Sequence, residues 1–431
     1  MKIVGVALVN SKLRRLVSLF PPFGRHLEYV SSTAARVADL EKTLNAFKSQ
    51  GLFSPSPGLS SCAEDLLTER LMAHPTTTPL PEARLASAPA LDLPDRVAVA
   101  ERLLAAYLSA LEAEGSSPMI RDGEDIWTSI MRHDLPELFS SIEKQDAASL
   151  ADFLMHFGSE RVWYGGITTC VDGYNKNLDP YHIALTYLDK LLCLAEALGV
   201  VELEHPEAGP WGESLHSDID ELLHKIEDHL QISITPPQGA IHTDGLKTGR
   251  GLFHYRHLNS LYAATRIQRL NSDLAPVCEI GGGLGITALY ARRLGVRDYT
   301  MLDLPITCLL AGHYLLHSLR QDEVSLFGEP LLEDTIKLLP YWEYPKIEND
   351  KFSLTINQDS LTEIADNLVM SFLCDIKRTS RDYFLSINHE YHKGKVVKDF
   401  VRRSGGFHEI HRSKYWIREG YVEELYKPEK S

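Results

Sequence analysis

The chain has 431 residues, 44% of them hydrophobic and 24% charged. At roughly 100–200 residues per domain it is long enough for two or three, and its composition excludes a collagen-like, coiled-coil-only or wholly disordered chain. Lys and Arg number 44 against 59 Asp and Glu, a net charge of −15. Such a surface repels a phosphate backbone, so nucleic acid is not an expected partner. The cysteines, Cys62, Cys170, Cys193, Cys278, Cys308 and Cys374, form no CxxC pair and no zinc-like spacing. They mostly sit in apolar runs, the pattern of reduced thiols in a cytoplasmic protein. No run approaches the ~18 apolar residues of a membrane span.

Residues 1–27 carry Lys2, Lys12, Arg14, Arg15 and Arg25 without a single acid. No small-residue cleavage site follows the apolar IVGVALV, so secretion is not expected. The segment reads as a strand and short helix docked on the body, or as a weak contact to a membrane surface or acidic partner. Val30, Ala34, Val37, Leu40, Leu44 and Phe47 recur at helical spacing up to Gly51. They predict an amphipathic helix, for core packing or for a coiled coil between subunits of a homo-oligomer such as a dimer. Residues 1–50 thus form a basic lead and helix. Residues 51–95, rich in Pro, Ser and Thr, read as a linker or arm with a short helix at 62–73.

A strong helix over 96–114 stops at Gly115, and helical patterns follow at 124–131, 134–144 and 146–157. The loop at 161–180 gathers Trp163, Tyr164, Tyr174, Asn175, Asn177 and Asp179, a composition suited to carbohydrate rings or to an ordinary interhelical loop. A helix over 180–198 ends at Gly199, and another covers 215–230. Residues 96–235 are therefore expected to be a helical region acting as lid, acceptor wall and oligomerisation surface. From Pro236 the pattern changes: strand-like runs alternate with helices through residue 431. The alternation predicts an α/β fold with a parallel, doubly wound sheet, closed by a β-hairpin in FHEIHRSKYWIREGYVEELYK.

The run Val277-Cys278-Glu279-Ile280-Gly281-Gly282-Gly283-Leu284-Gly285 follows a short strand and opens a helix over 286–294. Its glycines permit a tight turn and close approach of a ligand to the backbone, and the helix N-terminus offers free N–H groups. A glycine-rich loop alone does not separate dinucleotide sites from others. Glu279, two residues before the first glycine, can hold a ligand ammonium. Asp303 ends the next strand, about 20 residues on, where a carboxylate accepts ribose hydroxyls. An amino acid joined to a ribose fits S-adenosylmethionine better than a nicotinamide dinucleotide.

E-x-G-x-G-x-G followed by Asp303-Leu304-Pro305 resembles the cofactor motifs of class I S-adenosylmethionine-dependent methyltransferases. With Asn357-Gln358-Asp359-Ser360-Leu361-Thr362-Glu363 it is similar to the family of bacterial sugar O-methyltransferases, over about residues 240–400. The resemblance implies a Rossmann-like class I methyltransferase sheet in residues 236–431 and S-adenosylmethionine as cofactor. It implies that Glu279, Gly281, Gly282, Gly283 and Gly285 line the methionine end. Asp303, with Leu304 beside it, would hold the ribose, and Asn357 would stand near the transferable methyl. The adenine contact would follow the third strand, read as Glu323–Phe327. The reaction implied is O-methylation of a sugar-like small molecule. A non-sugar natural-product acceptor, or a cofactor-binding scaffold without catalysis, are the other readings.

Methyl transfer to a hydroxyl needs alignment and removal of a proton. His389, in Asn388-His389-Glu390-Tyr391-His392 at the end of strand five, is the first choice of base. His254 and His257, in a second cluster, and Asp359 are the reserves. Asn357, Asp359 and Ser360 also read as an Asx turn capping a helix from Leu361, with Glu363 completing a capping box at Ser360. Asp359, Glu363 and Glu390 could supply oxygens to a divalent metal, but no cluster has clear ligand spacing, so a metal is not the expectation.

Overall fold

The computed structural model describes residues 83–87, 95–114, 126–157, 180–205, 207, 213–237, 244–271, 273–390 and 395–430. The expected basic lead and helix of 1–50, the short helix at 62–73 and the Tyr- and Asn-rich loop before residue 180 lie outside these.

The helical region holds α1 (Arg96–Glu114), α2 (Ile126–Asp134), α3 (Pro136–Glu143), α4 (Ala147–His156), α5 (Pro180–Leu198) and α6 (Ile219–Leu230). Where caps are described they explain the boundaries. Asp146 and Asp218 accept the N–H of Ser149 and Glu221, starting α4 and α6. The start of α6 at Ile219, rather than 215, follows from the Asp218 cap; residues Glu213–His216 form a separate 3₁₀ turn.

The arm contributes an element that its composition conceals. β1 (Leu85–Ser87) pairs antiparallel with β2 (Asp244–Thr248), which pairs with β3 (Gly251–Phe253). Three residues are too few to show a period-2 pattern. Then come α7 (Tyr255–Leu270), β4 (Val277–Ile280), α8 (Ile286–Arg293), β5 (Tyr299–Asp303), α9 (Pro305–Ser318), β6 (Val324–Leu326) and β7 (Ile336–Pro340). The chain continues through β8 (Phe352–Gln358), α10 (Asp366–Thr379), β9 (Ser380–His389), α11 (Val397–Ser404), β10 (Phe407–Lys414) and β11 (Tyr421–Pro428).

The second sheet has eight strands in the order β10-β11-β9-β8-β4-β5-β7-β6. The run β9-β8-β4-β5-β7-β6 pairs in parallel, while β11 is antiparallel to both β9 and β10. This is the expected doubly wound, Rossmann-like sheet, closed by the expected hairpin. The expected strand at 323–327 forms as β6 (Val324–Leu326) at the sheet edge, with β7 between it and β5. Both segments are short and apolar, and only pairing tells them apart.

Both faces of its central strands are covered, so β4, β5, β7 and β8 are buried almost throughout, without alternation. Cys278, Ile280 and Leu302 join a core with Trp342, Phe372 and Phe384 on one face. Val277, Tyr299 and Met301 join a core on the other that runs on into Leu103, Leu150 and Leu191 of the helical region. The boundary at 236 thus divides sequence character but not the core. A Cβ on Gly312 of α9 would lie 2.5 Å from Leu103 of α1, so these helices meet at a glycine. Bidentate Arg102–Glu329 pairing, at 2.5 and 2.8 Å, ties α1 to the β6–β7 loop. No described helix is long and apolar enough to cross a membrane.

Candidate active site

Successive connections leave β4 on opposite sides: β5, β7 and β6 lie to one side, β8 and β9 to the other. In open α/β sheets ligands bind at such a switch point, outside the carboxyl ends of the strands. Ile280 of β4 pairs with Asn357 of β8, so the glycine loop and the β8–α10 turn emerge side by side. Between them lies an open cleft. It is lined by Glu279, Gly281, Gly282, Gly283, Asp303 and Leu304, and by Arg256, Asn259, Gln358, Asp359, Ser360, Glu363 and Trp127.

The glycine loop is held open by hydrogen bonds at both ends. Gly281 N–H donates to Leu302 O at 2.9 Å, and Gly285 N–H to Gly282 O at 3.1 Å. Gly281 has φ +69°, and a Cβ there would collide with the Ser360 side chain, so no other residue fits. Asp303 Oδ2 accepts from Gly283 N–H at 2.9 Å and Oδ1 from Leu304 N–H at 2.7 Å. Its carboxylate is thereby fixed at the floor of the cleft. It does not cap α9, whose N-cap is Leu304.

Glu279 is 2% exposed and accepts the Tyr299 hydroxyl at 2.9 Å. Burial, and the charge of Asp303, push its carboxyl up to about 7 against the hydrogen bonds from Tyr299 and Thr287. A ligand ammonium beside it would favour the ionised form. Below pH ~7 such a ligand must displace a proton, so its affinity should rise about tenfold per pH unit and level off above. Calorimetry with S-adenosylhomocysteine at pH 6 and 8, in buffers of different ionisation enthalpy, checks this. Proton release at pH 6 should vanish at pH 8 and in Glu279→Gln.

Asn357 does not line the cleft. It is 0% exposed, donates through Nδ2 to Ile280 O at 2.8 Å and to Ser360 Oγ, and accepts from Asn388 at 2.8 Å. It ties β4, β8 and β9 together behind the cleft. Gly285 is the N-cap of α8 at φ +75°, also behind the lining.

The reserve bases are placed apart. His254 is 2% exposed, caps α7 by accepting Arg256 N–H at 3.2 Å, and packs against Tyr187 and Tyr255. His257 is 1% exposed, and burial, with Arg293, lowers it to about 3. Neither lines the cleft. His389 ends β9 as expected, but its Nε2 lies 2.9 Å from Thr362 Oγ1 and its ring packs edge-on to Tyr421. Asp359 lines the cleft at φ +62°. It accepts from Arg256 at 3.0 Å, from Arg418 at 2.7 Å and from the Tyr421 hydroxyl. Burial alone would raise its pKa, but Arg418, Arg256 and Tyr421 together hold it below the usual carboxylate range.

The expected capping box does not form. α10 begins at Asp366, the Ser360 hydroxyl faces Asn357, and Glu363 Oε2 accepts the Trp127 indole N–H at 3.1 Å. Glu363 is the residue whose partner the spacing hid. Burial, and the charge of Asp359, push its carboxyl up to about 7, against Arg256, Arg418 and Trp127.

Asp359, Glu363 and His389 place one possible metal-ligand atom each within 4.8 Å of one another. Two guanidiniums already share the Asp359 carboxylate, and their charge opposes a cation there. EDTA should leave any transfer activity unchanged. Loss restored by magnesium would place a cation on these three side chains.

No protein-family profile matches the chain, and no curated protein matches it. Among solved structures, it is similar to a ribosomal protein L11 methylase from Lactobacillus delbrueckii subsp. bulgaricus. That match has 13% identity and a TM-score of 0.30, and covers 40% of this chain and 80% of that one. It is also similar to an S-adenosylmethionine dependent methyltransferase from Mesorhizobium loti. There the identity is 12% and the TM-score 0.28, over 39% of this chain and 97% of that one.

Proposed function

We propose that the chain transfers a methyl group from S-adenosylmethionine to a hydroxyl of a sugar or sugar-containing small molecule. The observation that carries the reading is the pairing of Glu279 and Asp303 across the glycine loop at the switch point. One carboxylate is buried where a ligand ammonium would sit, and the other is fixed by Gly283 and Leu304 N–H groups at the end of β5. A nicotinamide dinucleotide has no ammonium for Glu279 to meet. When bound, S-adenosylmethionine supplies an electrophilic methyl on a sulfonium.

The acceptor end supports a polyhydroxylated substrate. Asn259, Gln358, Ser360 and Glu363 offer hydrogen-bonding groups for hydroxyls, and Trp127 adds an aromatic surface. The resemblance through Asn357, Asp359, Ser360 and Glu363 points the same way. Helix α2 brings Trp127 to the cleft, which fits the helical region as acceptor wall and lid. A screen of small-molecule extracts for a mass gain of one methylene, with purified chain and methyl donor, tests the acceptor class. Products confined to compounds without a sugar would replace it with another scaffold.

A further inference from the structure

The carboxylates around the cleft differ in what holds them. Asp303 is fixed by two backbone N–H groups, Glu279 is buried under Tyr299, and Asp359 is shared by two guanidiniums. Glu363 leaves the β8–α10 turn, where its N–H donates to Ser360 O at 3.0 Å, and reaches the cleft wall. The indole N–H of Trp127, 236 residues away in sequence, meets it there.

We propose that Glu363 is the catalytic base that takes the proton of the acceptor hydroxyl, and that Trp127 is the positioning residue that aims its carboxylate. This rests on the methyl-transfer reading above. In the step, the acceptor O–H bond breaks and the proton passes to Glu363. The oxygen's electron pair bonds to the methyl carbon, and the carbon–sulfur bond breaks with its pair kept by sulfur. The products are the methyl ether, S-adenosylhomocysteine and a neutral glutamic acid, which returns its proton to solvent.

A base works best when its pKa lies near the working pH. Glu363 stands at about 7 because it is buried and beside Asp359, with Arg256, Arg418 and Trp127 pulling the other way. His389 is nearby, bonded to Thr362, and Tyr421 bonds to Asp359. Glu363 is charged above pH ~7 and neutral below, so transfer should rise as pH passes through that value. A single N–H donor fixes one carboxylate oxygen and leaves the group aimed rather than neutralised, whereas the arginine pair on Asp359 neutralises it.

Two measurements test the role. The first needs no acceptor. The indole ¹H–¹⁵N resonance of Trp127, identified by its loss in Trp127→Phe, should titrate with a midpoint near pH 7 and should not titrate in Glu363→Gln. A resonance that is flat in the wild type, or that still titrates in Glu363→Gln, overturns the proposal. The second follows tritiated methyl transfer from S-adenosylmethionine into a small-molecule extract, beside calorimetry with S-adenosylhomocysteine. Glu363→Gln should lose about 10²–10⁴-fold in rate while keeping wild-type affinity for S-adenosylhomocysteine. Trp127→Phe should move the pH–rate limb upward, because an N–H donor that favours the carboxylate is gone. A wild-type rate in Glu363→Gln, with collapse in His389→Ala, overturns the proposal and moves the role to His389. A wild type that binds no S-adenosylhomocysteine overturns instead the methyl-transfer reading beneath it.

Discussion

Asp359→Ala should lower the stability of the folded chain by roughly 3–5 kcal/mol, the range for removing one partner of a buried charge cluster. The Asp359, Arg256 and Arg418 side chains are 10%, 15% and 24% exposed, so solvent does little to screen them. Without the carboxylate, two guanidiniums face one another and the Tyr421 hydroxyl loses its acceptor. The cluster joins α7, the β8–α10 turn and the β10–β11 hairpin, so its loss loosens the acceptor end of the cleft. Asp359 also sits at φ +62°, which aspartate and asparagine tolerate better than alanine. Asp359→Asn should therefore lose less than Asp359→Ala. Denaturant midpoints of the three proteins check this, and an alanine variant within ~0.5 kcal/mol of wild type, the range of an ordinary surface change, would mean the cluster does not hold the fold.

Asp303→Ala should weaken S-adenosylhomocysteine binding by roughly 2–4 kcal/mol, about 30- to 1000-fold. Two losses combine. The ribose loses a charged acceptor, and the glycine loop loses the anchor of Gly283 N–H, so the ligand must order the loop as it binds. Asp303→Asn keeps one acceptor oxygen and should fall between the two. Near wild-type affinity in a folded alanine variant would take the ribose role away from Asp303.

What the sequence shows about this site follows the distance over which each feature is encoded. Glu279, the glycines and Asp303 lie within 25 consecutive residues, and their spacing alone places them on β4, its loop and the end of β5. The closing hairpin was legible for the same reason. The order of the strands on the far edge was not, because Val324–Leu326 and Ile336–Pro340 are both short and apolar and only cross-strand pairing puts the second beside β5. Ser360 and Glu363 have the spacing of a capping box, so the local reading hid a side chain that meets Trp127 instead. Asp359 looked like a reserve base because its two arginines lie 103 and 59 residues away. His389 stands at the strand end that its position implied, yet its ring turns to Thr362. A histidine near a site is read easily from sequence; the direction of its ring is set by packing.

Isothermal titration of the full chain with S-adenosylhomocysteine tests the assignment of the cleft most directly. Saturable one-to-one binding is expected, with a proton released at pH 6 but not at pH 8. It should be weakened in Asp303→Ala and unchanged in Glu363→Gln. No heat of binding at millimolar ligand, with the chain folded, would contradict the assignment of the glycine loop, Glu279 and Asp303 to this cofactor.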